Sequence, residues 1–366
     1  ANALAFHCLG RWGCAITPVG QTRGNGMVGN PSGETEDWGP FGRPLFDDPS
    51  ARALSRVGVV DVGSNSVRMV VFDGAARSPA YFFNEKVMAG LGGGLAETGC
   101  LNPEGRDRAL KAIKRFQLLA DAMGISPLTA VATAAVREAE DGPAFCEDVL
   151  WETGLKLWVI EGEEEARLSA KGVLLGWPGA SGLVCDIGGS SMELAELKDG
   201  EVGTCLSSKL GPQRLKTIKG GKKGRRDAIQ SGVKDLVAAM NSNSNRLYLV
   251  GGSWRAIARI DMDRRGYPLA VLHEYRMSRK ALYATIDHVE KTPMDELRER
   301  TGIGESRMTL VPLAAQVLKE LVRALKPKEI IISSYGIREG MLYEQMPQSL
   351  RDRDPLIEAC RFAENK

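Results

Sequence analysis

The chain has 366 residues, 43% of them hydrophobic and 26% charged, with a formal net charge of only +2. That length allows two domains with cores of their own, and the small charge excludes a whole-molecule field aimed at nucleic acid or a membrane surface. No stretch reaches the ~20 apolar residues that span a bilayer, and seven scattered cysteines without a C-x-x-C pair argue against a disulfide framework or thiolate zinc site and for a reducing cytoplasm.

In chain order, residues 1–26 are mildly apolar but lack a basic leading region, so they read poorly as a signal peptide. Met27 is expected as the natural start, with residues 1–26 an added extension. Residues 28–55 are rich in Gly, Pro, Asp and Ser, so residues 1–55 are expected to be a largely irregular tail. Val57–Asp61 and Val67–Phe72 then read as strands. Asn102-Pro103 has the form of a helix cap and first turn. Ala109, Ala112, Ile113, Phe116, Ala120 and Met123 follow on one helical face, stopped by Gly124. Ala130–Thr133 reads as a buried strand, Ala134–Ala139 as the start of a helix, Leu155–Ile160 as a strand and Glu163–Leu175 as a helix. The pattern then restarts. Leu183–Asp186 and Met192–Leu197 are strands, Asp227–Met240 a helix, and Leu247–Val250 a strand ending in Gly251-Gly252 with a helix behind it. Ile330–Ser333 is the last strand, and a helix begins at Ile337. This is an imperfect duplication of one α/β unit, which implies two similar lobes with a cleft between them. Such lobes bind ligands at strand ends and in the cleft.

Two stretches have the same plan: VVDVGSNSVRMVVFDG, Val59 to Gly74, and LVCDIGGSSMELAEL, Leu183 to Leu197. Each is a hydrophobic strand ending in Asp, a turn of small residues, and a second strand. Neither a G-x-x-x-x-G-K-[ST] nor a G-x-G-x-x-G pattern is present, and both of those need a helix after the turn. A hairpin whose turn bares backbone N–H groups makes an anion nest, to which Ser64, Asn65, Ser66, Ser190 and Ser191 add donors. One such turn alone is better read as turn geometry; two, each led by a strand Asp, point to phosphate binding. A carboxylate at the end of an apolar strand needs a cation or donors, and Mg²⁺ takes one or two carboxylates together with phosphate oxygens. Glu163, Glu164 and Glu165 also suit the first turn of a helix, where acids favour the dipole. Arg137 reads either as a phosphate fork or as a surface partner of Glu138 or Glu140.

With ATAAVREAEDG, EGEEEARLSAKGV, LVGGSWRAIARI and SSYGIREGMLY in order along the chain, the sequence resembles the Ppx/GppA phosphatases, exopolyphosphatases and guanosine pentaphosphate phosphohydrolases of the actin, Hsp70 and sugar-kinase superfamily. The resemblance covers Arg56 to about Tyr343. It implies an α/β fold with two similar actin-like (ribonuclease H-like) lobes and an interdomain cleft. Domain I would be 56–170, domain II 171–335, and 336–366 a C-terminal helical segment packing back on domain I. His7, His273 and His288 include no His-Asp pair, so the chain resembles the short type without a helical HD-type domain.

The resemblance implies Glu165 as general base, Glu164 as its helper, and Arg137 on the terminal phosphate. Gly63, Ser64, Asn65, Ser66, Gly188, Gly189, Ser190, Ser191 and Gly252 would bind phosphate. Asp186 and Glu193 would hold Mg²⁺, or Mn²⁺ in its place, with Asp61 acting through a metal-bound water. Gly336 is expected to allow close helix approach. The family's second loop commonly reads D-x-G-G-G-S-T-E; here Ser190 replaces a Gly and Met192 a Thr. A Cβ at 190 is expected to restrict positive φ, and a donor is lost at 192. Lys222, Lys223, Arg225 and Arg226 lie among glycines and read either as a solvated loop or as a mobile clamp on polyphosphate. The implied activity is Mg²⁺-dependent exopolyphosphatase. The alternatives are hydrolysis of guanosine pentaphosphate, with Trp254 and Tyr335 as candidates to meet the base, and a sensor that binds without turnover. A homodimer is the family's expectation; no nucleic-acid or membrane partner is expected.

Overall fold

The computed structural model describes residues 56–73, 79–125, 128–242, 244–357 and 360. The expected tail of residues 1–55, with Met27, lies outside them. Hydrophobic strand β1 (Arg56–Val62) turns at Gly63–Ser66 into β2 (Val67–Asp73), and β3 (Tyr81–Val87) completes a meander. Short α1 (Leu95–Thr98) precedes α2 (Pro103–Ala122). The Asn102 side chain accepts a 2.8 Å hydrogen bond from the Gly105 amide, and the chain leaves the helix through Gly124 at φ +64°. Strand β4 (Leu128–Ala132), α3 (Ala134–Glu138), α4 (Gly142–Thr153), β5 (Leu157–Val159) and α5 (Gly162–Gly176) follow.

The second unit repeats the order. Strands β6 (Gly182–Ile187), β7 (Met192–Lys198) and β8 (Glu201–Ser208) form its meander. Next come α6 (Pro212–Lys216), α7 (Gly221–Met240), β9 (Arg246–Val250), α8 (Gly252–Arg264), β10 (Arg276–Met277) and α9 (Arg279–Lys291). Helices α10 (Met294–Thr301), α11 (Glu305–Met308) and α12 (Val311–Leu325), strand β11 (Glu329–Ile332) and helices α13 (Ile337–Gln345) and α14 (Gln348–Arg351) end the described chain.

The first sheet runs β3-β2-β1-β4-β5 and the second β8-β7-β6-β9-β11-β10. Each has a three-stranded antiparallel meander joined to parallel strands, and the second adds β10 antiparallel to β11. The duplicated α/β fold with two lobes is therefore as expected. Strands β3 and β8 were not anticipated: both are edge strands, β3 mostly exposed and β8 mostly half-buried, and neither alternates apolar with polar side chains along its sequence. Helices α9, α10 and α12, also unassigned from sequence, fill the interval before β11.

Three hydrophobic layers hold the sheets. Phe116, Ile113 and Phe145 pack α2 and α4 on the outer face of the first sheet. Trp254, Leu318 and Ile257 do the same for α8 and α12 on the second. The middle layer joins both sheets: Val59 and Phe72 from the first, Val184 and Tyr248 from the second, with Leu168 of α5 and Leu342 of α13 between. Helices α5 and α13 meet closely because a Cβ at Gly340 would lie 1.8 Å from the Leu168 carbonyl oxygen, and one at Gly172 2.3 Å from that of Gly336. Close approach thus occurs at Gly336, as expected, with Gly172 and Gly340 as its spacers.

Candidate active site

The two expected turns face each other across the cleft. In each the leading glycine amide bonds the carbonyl of the last turn residue, Gly63 to Ser66 at 3.1 Å and Gly188 to Ser191 at 3.0 Å. Ser64 and Ser190 meet hydroxyl to hydroxyl at 3.3 Å. Between them lies a cavity of about 190 Å³, lined by Gly63–Ser66, Gly188, Gly189, Ser191 and Gly252, and by Asp61, Glu165 and Asp186. Gly251, at φ +108°, lets β9 turn into α8 against Asp186.

The carboxylates come from equivalent places. Asp61 is near the end of β1 and Asp186 near the end of β6, with Glu193 opposite Asp186 in the β6–β7 ladder. Glu165 is in the first turn of α5. Ser169, one turn further on, donates to Asp186. Ser207 donates to Glu193 Oε1 at 3.0 Å, whereas Glu193 Oε2 is buried without a hydrogen-bond partner. Burial pushes Asp61, Asp186 and Glu193 upward from the usual carboxylate range. Glu165 is pushed up to about 8, first by burial and then by the charge of Asp186, against the pull of Arg137.

This donor set fits a hard divalent cation. Glu165, Asp186 and Glu193 are buried and Asp61 is half-buried, their charges work against one another, and one oxygen of Glu193, which stands behind the cavity lining, lacks a partner. Among the described residues no three acid, His or Cys side chains form a ready cage. An ion here would therefore be held by one or two carboxylates, with phosphate oxygens and water completing the shell, which is the habit of Mg²⁺.

Several expected residues stand elsewhere. Glu164 turns away into a fork with Arg167, at 2.6 Å from its Nε, and does not line the cavity. Adjacent helix positions point about 100° apart, and only Glu165 shares the buried face of Leu168, Ser169 and Gly172. Arg137 sits behind Glu165 and outside the cavity lining. Its Nη1 donates to the Ile160 carbonyl at 2.6 Å and approaches Glu165 Oε2 at 3.4 Å. The Ser190 hydroxyl points at Ser64, and no residue of 188–191 has positive φ. Its Cβ therefore strains nothing, contrary to expectation. Met192 is fully buried in the outer core of the second sheet, on the face opposite Glu193; a side chain there would not reach the cavity, so no donor is lost. Lys222, Lys223, Arg225 and Arg226 belong to the first turns of α7, which starts at Gly221 rather than Asp227, so they form a helix surface and not a mobile loop.

The sequence reading missed a cationic hollow of about 470 Å³. Arg255, Arg307, Arg338 and Gly252 are shared between its lining and that of the reaction cavity, and Arg68 and Lys86 complete it. Burial, followed by Arg307 and Arg68, brings Lys86 down to about 8. Burial and Arg338 bring Arg255 to about 10. The hollow's one carboxylate, Glu339, already accepts from Tyr81 at 2.9 Å and the Gly336 amide at 2.8 Å. Arg338 lies inside the SSYGIREG motif and Arg255 three residues beyond Gly252, so both could have been suspected; Arg307, on four-residue α11, carried no signal. Trp254 is fully buried, and Tyr335 stacks on His273 at 4.5 Å between ring centres.

A model of the Ppx/GppA phosphatase family matches residues 70–349. The chain is 28% identical over 327 residues to "Exopolyphosphatase 1" of Mycobacterium tuberculosis, covering 83% of this chain and 92% of that one. It is also 28% identical over 325 residues to the "Guanosine-5'-triphosphate,3'-diphosphate pyrophosphatase" of Vibrio campbellii, covering 84% and 62%. Among solved structures, an exopolyphosphatase from Cytophaga hutchinsonii superimposes with a TM-score of 0.71 at 24% identity, over 79% of this chain and 97% of that one, a likeness of fold.

Proposed function

The chain belongs to the Ppx/GppA phosphatase family, and on that footing we propose that it is an exopolyphosphatase, removing the terminal phosphate of inorganic polyphosphate by attack of water. The observation that carries the reading is the Glu165 carboxyl, buried between two amide-rich turns and held at about 8, where a general base works best near neutral pH.

The amides of Gly63–Ser66 and Gly188–Ser191 hold the terminal phosphate, with the serine hydroxyls beside them. Glu165 takes the proton of the attacking water. Arg137, on the far side of Glu165, fixes its orientation; we assign Arg137 this positioning role in place of a direct phosphate contact. Asp186 and Glu193 would hold Mg²⁺, with Asp61 supporting them through water. The chemistry such an ion would supply is neutralisation of the phosphate oxygens. Ser169 and Ser207 hold the Asp186 and Glu193 carboxylates in place by hydrogen bonds.

A second reading, hydrolysis of guanosine pentaphosphate, is favoured by the cationic hollow beside the cavity, which suits a second diphosphate group, and by the name of the Vibrio relative. Against it, Trp254 is fully buried, Tyr335 already packs one face on His273, and neither lines the cavity or the cationic hollow. A sensor without turnover loses its support, since Ser190 and Met192 leave the site unstrained. No helix among the described residues is long and apolar enough to cross a membrane. The five cysteines among the described residues are all unpaired, which suits the reducing cytoplasm in which we place the protein.

The test is phosphate release with Mg²⁺ from long-chain polyphosphate and from guanosine pentaphosphate in parallel, with Glu165→Gln as control. Release from polyphosphate that the substitution cuts by ~10²-fold or more supports the first reading. Release from the nucleotide alone moves the assignment to the second.

A further inference from the structure

One strongly charged surface is unused by this chemistry. Helix α7 opens with Lys222, Lys223, Arg225 and Arg226 inside its first six residues, and its first turn has no acid. Cations there oppose the helix macrodipole, whose positive pole lies at that end, so folding alone would favour Asp or Glu in these places. The four cations line a groove of about 1070 Å³ against α9, α10 and α12. The carboxylates that share the groove, Glu290 and Glu320, are engaged by Lys319 and Arg323. Among the described residues, no ion pair joins Lys222, Lys223, Arg225 or Arg226 to an acid, so the surface carries cationic charge that these residues do not balance.

The groove and the reaction cavity are linked by residues that wall a third hollow between them. Lys216 lies on the groove's wall and also on that of this hollow of about 780 Å³, which holds Lys209 and Arg214 as well. Gln213 is common to that hollow and the reaction cavity. Glu97 and Glu138 line the middle hollow too, and Glu138 is paired with Arg214 at 2.7 Å.

We propose that the first turns of α7 bind the far part of a long polyphosphate chain while its end lies in the reaction cavity, a second binding site that rests on the polyphosphate reading of that cavity. Only a linear polyanion long enough to pass from Gln213 to α7 can occupy both. Long chains then bind more tightly than short ones through added charge contacts, and each contact releases counterions, so this part of the affinity falls with salt.

The experiment is equilibrium binding of long-chain polyphosphate and of tripolyphosphate to Glu165→Gln protein, with and without the fourfold change K222Q/K223Q/R225Q/R226Q, across a salt series. Gln is a good helix former, and circular dichroism verifies that the fold is kept. The expected result is a loss of about tenfold or more in long-chain affinity at low salt, a salt slope smaller by about 3 for four released contacts, and collapse of the preference for long chains. Unchanged long-chain affinity and slope overturn the proposal, as does an equal loss for tripolyphosphate, which would mark a general field rather than a site. Phosphate release by the unsubstituted protein separates this from the functional reading. No release from polyphosphate, with length-dependent binding that the fourfold change removes, overturns the reaction and keeps the surface. Release with length dependence intact in the fourfold variant overturns the surface alone.

Discussion

Raising the pH should destabilise this protein when metal is withheld, the reverse of what most carboxylates do. Glu165 is held at about 8, against an ordinary value of 4.5. Between those limits the folded chain keeps a proton that the unfolded chain has released, so the unfolded state binds fewer protons and stability falls as pH rises. The contribution is fully present below about pH 4.5 and is lost as pH passes 8. Each pH unit inside that window costs at most about 1.4 kcal/mol for one group, and the whole window about 5 kcal/mol. Asp186 and Glu193 are displaced in the same direction and deepen the trend. At about 2 °C per kcal/mol for a chain of this size, the melting temperature should fall by roughly 3 °C per pH unit between pH 5.5 and 7.5. The assay is thermal melting by circular dichroism in EDTA, for the unsubstituted protein and Glu165→Gln. The substitution removes the titrating group and should flatten the curve. Millimolar Mg²⁺ should also flatten it, because a bound cation favours the ionised carboxylates. Parallel curves for the two proteins in EDTA, or a melting temperature that rises with pH, would refute the reasoning.

Other substitutions test other parts. Gly340→Ala drives a methyl group into the Leu168 carbonyl and should cost about 3 kcal/mol, read by urea unfolding. Met192→Thr places a hydroxyl in a dry core and should cost about 2 kcal/mol without raising kcat; a gain in kcat would show that residue 192 serves the site. Glu164→Gln should leave kcat near that of the unsubstituted protein while losing the Arg167 fork; a collapse like that of Glu165→Gln would move the base back to residue 164. Arg307→Ala should raise KM for guanosine pentaphosphate by about 10- to 100-fold if the cationic hollow takes its second diphosphate, with little change in KM meaning that the hollow serves another purpose.

What the sequence made legible follows from periodicity. Helix α2 could be read from its Asn102 cap to Gly124 because its apolar residues repeat at helical spacing. The two turns could be read because a carboxylate at the end of an apolar strand is costly unless a cation or donors meet it, and the pattern occurs twice. Strands β3 and β8 were hidden because their sequences do not alternate apolar with polar side chains, although Phe83 and Val87 of β3 and Val202 and Leu206 of β8 pack on the cores. The start of α7 was hidden because Gly220, Gly221 and Gly224 imitate a loop, although a Cβ at Gly224 would lie 2.2 Å from the Lys219 carbonyl oxygen and so reports a tight first turn. The phase of α5 did contain the choice of Glu165 over Glu164, since residues 165, 168, 169 and 172 repeat at 0, 3, 4 and 7. The arginines of the hollow meet only through tertiary structure, from β2, α8, α11 and α13, and no local pattern could assemble them.

Helix α5 has a consequence for how the protein can be divided. It bears Glu165 at its start and Ser169 against Asp186 one turn later, and it shares a core with both sheets and α13. Neither half of the duplication is a finished object: a cut before α5 strips the first sheet of its inner cover, and a cut after it leaves the second sheet bare. The repeat visible in the sequence is thus an ancestry of parts rather than a seam. Fragments divided near residue 177 should be insoluble singly and regain structure only when expressed together, as two pieces of one folding unit.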